Sequence, residues 1–242
     1  MRLPSALSLA ALMALPLGLP VRAQTTDMAP LYQRLSALAP RGDAEVLYNL
    51  GMFLNNGLGV ARDNRAAFAY FSQAAEAGHA LAAYKVGCYH AGQFPGVVPV
   101  NEAEALRYKR VAAEAGYSLA QYDLGAMLVR RGERAQGLVW LEQASHQGQQ
   151  QAQLTLAYLH SSQPDGDRVQ ALALMRLLRA SLDKPHEAFM SRLNSLQAEL
   201  SEAQLAQAEQ LRAGWVTGPT PLTLQAQAGV RAVPALLEQL ER

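Results

Sequence analysis

Five histidines, a single cysteine and two close pairs of carboxylates are the side chains of this 242-residue chain with the means to do chemistry. Histidine ligates metals and carries protons, a thiolate attacks electrophiles, and paired carboxylates divide acid and base roles. Spacing decides whether they do so. His79, His90, His146, His160 and His186 make neither a His-x-x-x-His pattern nor a carboxylate-histidine pairing, so no metal site is expected. Cys88 has Lys85 one helical turn away, which does not oblige the two to touch, and the thiol reads as buried or incidental. Glu102 with Glu104, and Asp165 with Asp167, stand at helix entries, where free N–H groups and the backbone dipole favour negative charge. No serine sits in a Gly-x-Ser-x-Gly setting, and Gly57 and Gly59 lie between helices rather than after a strand. No catalytic residue and no cofactor is expected.

The elements that must position any site repeat along the chain. Residues 44–78 read as a helix with Gly51 at its middle, a turn at Asn55-Asn56-Gly57-Leu58-Gly59-Val60, a cap at Asp63, and a second helix ending at Gly78. A mid-helix glycine costs about 1 kcal/mol against alanine, so its presence asks for close approach of the second helix. Copies follow in register: Tyr48, Tyr84 and Tyr122; Gly51, Gly87, Gly125 and Ala157; Gly78, Gly116 and Gly148. Tyr70, Tyr108 and Trp140 share one repeat site and read as packing positions. The mid-helix spacings of 36, 38 and 32 residues differ only through the turns, the longest of which surrounds Phe94. Such units bury their apolar faces by stacking, which defines an all-α solenoid over 43–181. Residues 28–42 read as an N-terminal capping helix and 182–216 as C-terminal capping helices, with a capping box at Ser201 and Gln204. Residues 217–242 are proline-dotted and weakly periodic, and a loose, partly disordered tail is expected, closing in a short helix over 235–240.

The YNLG, YKVG and YDLG blocks at Tyr48, Tyr84 and Tyr122, the GLGVARD turn at Gly57, and the QAAEAGH and VAAEAGY helix ends together resemble the SEL-like repeat family, relatives of the tetratricopeptide repeats. The resemblance implies a right-handed helix-turn-helix solenoid of about four repeats and an adaptor role without catalysis. Some exported members are credited with hydrolysis of cell-wall or β-lactam substrates, but those carry a disulfide in each repeat. Cys88, alone, departs from that pattern. The hydrolase is therefore the alternative to a protein or peptide scaffold.

A binding surface is sought where the copies differ. Asn49, Lys85, Asp123 and Thr155 are equivalent positions on the first helices, as are Met52, Cys88, Ala126 and Tyr158. First helices of helical solenoids commonly line the concave face, so Asn49, Met52, Lys85, Cys88, Asp123, Thr155 and Tyr158 are the candidate partner contacts.

Residues 1–23 place Arg2 before an apolar run interrupted by Pro16 and Pro20 and close on Val21-Arg22-Ala23, the order of a secretory signal cleaved after Ala23. The expected location is periplasmic or secreted, without stable membrane insertion after cleavage. Loss of Arg2 and Arg22 leaves 19 basic residues against 20 acidic ones. That balance gives no support for a nucleic-acid partner.

Overall fold

The computed structural model describes residues 28–162 and 166–242, so the expected signal segment at 1–23 and Asp165 lie outside the described residues. Helix α1 (Ala29–Leu38) carries Pro30 in its first turn, where a missing N–H costs nothing, and buries Leu35 and Leu38. Four helix pairs follow: α2 (Ala44–Asn56) with α3 (Asn64–Glu76), α4 (Ala80–His90) with α5 (Glu102–Glu114), α6 (Ser118–Arg130) with α7 (Arg134–His146), and α8 (Gln150–Ser162) with α9 (Arg168–Ser181). Each helix packs on the next, and no strand occurs among the described residues.

Side-chain caps fix where the helices start. Asp43 accepts from the N–H groups of Glu45 and Val46, Asp63 from Arg65 and Ala66, Asn101 from Glu104, and Asp167 from Gln170. The second helices of the first three pairs close on Gly78, Gly116 and Gly148, whose φ values of 88°, 93° and 81° suit residues lacking a Cβ. The mid-helix glycines have the packing reason that their cost demanded. A Cβ at Gly51 would sit 2.6 Å from the Phe71 ring, one at Gly87 2.9 Å from Cγ of Lys109, and one at Gly125 2.8 Å from both Leu141 and the Gly137 carbonyl oxygen.

Beyond the pairs, α10 (Glu187–Glu199) and α11 (Glu202–Ala213) both pack on α9 and extend the core through Leu193, Leu196 and Ala208. Ser201 and Gln204 make the expected reciprocal capping box.

The tail holds the expected closing helix but is otherwise more ordered than expected. Residues 221–228 and 233–240 are helices, α12 (Pro221–Ala228) and α13 (Val233–Leu240), joined by a 3₁₀ turn, and they run back along the repeats as a strap. Gly218 N–H donates to the His146 carbonyl at 2.9 Å, and Thr220 Oγ1 to the Gly116 carbonyl at 2.8 Å. Further along, Gln225 Nε2 donates to Glu45 at 2.8 Å, and the Arg34 guanidinium grips Glu241 at 2.6–3.0 Å. Val233 and Leu237 are buried against Leu35, Leu50 and Phe53. Weak periodicity concealed this order because so short a segment needs only a few anchors when its polar groups find partners on the stack.

Candidate functional site

The proposed stripe separates into buried and accessible members. Asn49 is buried, and its Nδ2 donates to the Glu45 carbonyl at 2.8 Å and to the Glu45 carboxylate at 3.1 Å, so it stabilises its own helix. Cys88 is also buried, and burial pushes its thiol pKa up, away from reactivity. Asn49 is therefore corrected from a partner contact to a core position, and Cys88, buried as its thiol reading had it, is likewise removed from the partner contacts. Met52 is half-buried against the first-repeat cluster. Lys85 keeps partial exposure, and burial of its surroundings lowers its pKa. Thr155 is half-buried, whereas Tyr158 is 67% exposed.

Two concave regions take up the accessible members. The first is a groove of about 480 Å³ between α8, α9 and α10, walled by Leu154, Tyr158, Met175 and Phe189 with His186 and Arg192 at its edges. Leu154, half exposed, and Tyr158 present an apolar patch there. Phe189 and His186 were not legible as site residues, because the closing wall comes from a helix outside the repeats.

The second is a polar pocket of about 470 Å³ between the turn after α4 and helices α5 and α6, containing Asp123 and Ala126. Lys109 lies at its inner end. Its stem crosses Gly87, and its ammonium donates to Asp123 Oδ2, which also accepts from Tyr84 Oη at 3.2 Å. Lys109 is 3% exposed. The sequence contained the signal for it: Phe71, Lys109 and Leu141 each precede the terminal glycine of their repeat by the same interval, and the middle one is charged. Asp123 is accordingly a partner to a buried cation rather than an independent surface charge.

His79 belongs to neither region. Its Nδ1 accepts from the Ala82 N–H, and its Nε2 lies 2.9 Å from Glu45, a bond that holds the Glu45 carboxyl below the usual carboxylate range. Among the described residues no group of three or more histidine, cysteine or acidic side chains could hold a metal ion, and no helix is long and apolar enough to cross a membrane.

Tandem antiparallel helix pairs, stacked through glycine contacts, define the chain as an α-solenoid built of short repeats. A family model described as Sel1 repeat matches residues 44–79, 80–117 and 118–149, so the first three helix pairs are three Sel1 repeats. A Sel1 repeat protein from Oxalobacter formigenes has a similar crystal structure, with a TM-score of 0.57 and 23% identity over 75% of this chain and 77% of that one. A protective antigen of uropathogenic Escherichia coli with an SLR fold is similar at a TM-score of 0.51 and 22% identity over 84% of this chain. The present chain covers about half, 52%, of the length of that antigen. These likenesses establish the fold. No curated protein sequence matches the chain.

Proposed function

We propose that this chain is an exported interaction scaffold of the bacterial cell envelope, binding a protein or peptide segment along the accessible first-helix positions and the groove beside Tyr158. Sel1 repeats generally build protein-interaction scaffolds, which supports the class. The observation that carries the reading is the apolar patch of Leu154 and Tyr158 opening onto a groove walled by Phe189 and Met175. Exposed aromatic and aliphatic side chains beside a recess are the surface from which protein interfaces draw their anchors. Export rests on the basic, apolar, small-residue order of residues 1–23.

The test has two arms. Fractionation and N-terminal sequencing should find the chain outside the cytoplasm, beginning at Gln24. The purified mature chain should retain an envelope protein that Tyr158→Glu fails to retain while melting at the same temperature. Retention unaffected by Tyr158→Glu, or turnover of an envelope substrate that survives repurification, would contradict the scaffold.

A further inference from the structure

Three departures from the repeat pattern meet at the polar pocket. Lys109 stands where the neighbouring repeats have Phe71 and Leu141, both fully buried. Asp123 places a carboxylate where the first and fourth pairs have the neutral Asn49 and Thr155. The enlarged turn, pinned by Phe94 stacking on Tyr89 at 4.2 Å, brings Gln93 and Val100 to the pocket wall. A buried ion pair is generally no more stabilising than an apolar pair of similar volume, so stacking alone gives no reason for the substitution.

The pair also has hydrogen-bonding capacity to spare. Asp123 Oδ2 accepts from both Tyr84 and Lys109, while among the described residues Oδ1 has no protein donor and the Lys109 ammonium no second acceptor. Asp123, 19% exposed at its side chain, lines the opening. The rim bears Glu102 and Arg130, one charge of each sign.

We propose that this pocket binds the side-chain carboxamide of a glutamine or asparagine in a peptide partner, an inference that rests on the polypeptide-binding reading above. A carboxamide is neutral and offers an N–H donor and a carbonyl acceptor side by side, matching the free acceptor of Asp123 and the free donors of Lys109. A ligand carboxylate would compete with Asp123 for Lys109 and set two negative charges together. A ligand ammonium would meet Lys109 as a like charge. An apolar side chain would remove water from both partners and return no hydrogen bond.

The test uses the purified protein carrying ¹³C-methyl methionine, because Met127 lines the pocket whereas Met175 lines the other groove. N-acetylglutamine methylamide, N-acetylglutamate methylamide and N-acetylleucine methylamide serve as probes. The glutamine probe is expected to shift the Met127 methyl saturably, and the other two to bind roughly tenfold or more weakly. The response should vanish in the double variant Lys109→Met with Asp123→Leu, which gives position 109 the apolar character of Phe71 and Leu141 and removes the carboxylate at 123. Asp123→Asn, which exchanges an acceptor for a donor at constant shape, should weaken binding as well, so the outcome does not hang on one variant folding. Equal binding of the glutamate or leucine probe, a response persisting in both variants, or no Met127 shift up to the solubility of the glutamine probe would overturn the proposal. Single-residue probes report the pocket alone, so failure here leaves capture through Tyr158 standing, and failure of capture leaves the probe result standing.

Discussion

Glycine does different work at equivalent positions, and the difference predicts a ranking. Gly51 faces the Phe71 ring, a buried side chain that gives way only by repacking its neighbours, whereas Gly125 and Gly137 meet backbone to backbone, with a Cβ on either sitting 2.7–2.8 Å from the other's carbonyl oxygen. Gly125→Ala should therefore destabilise by about 1–3 kcal/mol, and Gly51→Ala by less, once alanine's helical advantage is offset. Urea denaturation of the two variants measures the order. The Lys109–Asp123 pair supplies a second expectation. Asp123→Ala leaves a buried ammonium unpaired and should cost about 3 kcal/mol, while removing both charges together should return most of that loss. A double-mutant cycle reads the coupling. The mid-helix glycines were visible from spacing alone, because a costly residue recurring in register must have a packing cause. Burial of Cys88 was among the readings its sequence setting allowed, but burial of Asn49 was not visible, since equivalence along the repeat gives a position but not how deeply its neighbours cover it.

Among the elements, the strap is what spacing left unread. Thr223 shows how it is held: its Oγ1 donates to Gln147 at 2.7 Å and accepts from the Ser118 N–H at 3.0 Å, tying α12 to the ends of two repeats. Leu237 is fully buried, so Leu237→Ala should cost about 2–5 kcal/mol locally, seen as faster hydrogen exchange in α1 and α2. Glu45 joins the strap to the first two repeats through Gln225, Asn49 and His79. Its folded pKa is depressed, chiefly by the hydrogen bond with His79. That contribution is present above the ordinary carboxylate value of about 4.3 and is lost as pH falls through the lower folded value. The stability difference between the parent protein and Glu45→Gln, measured by denaturation across pH, should accordingly be full near neutrality and shrink below about pH 4. The caps at Asp63 and Ser201 were legible because capping is local, but the strap's partners lie as much as 207 residues away in sequence.

For the molecule as a whole, a stack of repeats touching only their neighbours unfolds as a nearly one-dimensional array. The strap breaks that rule by linking the third repeat, through Gly218 and His146, to the N-terminal helix, through Glu241 and Arg34. Deleting residues 217–242 should split or broaden a single thermal transition, which calorimetry detects. The solenoid itself could be read from tyrosine, glycine and alanine blocks, since each repeat carries its own packing instructions. The two recesses could not, because each needs a wall that the repeat pattern does not supply: the enlarged turn in one case and α10 in the other. The scaffold reading is tested most directly by photo-crosslinking in living cells, with benzoylphenylalanine at Tyr158 and, as a control, at the comparably exposed Val139 on α7. The account predicts one discrete adduct from position 158, absent from position 139, whose captured protein binds the purified chain saturably. Identical adducts from both positions, or none from 158, would contradict it.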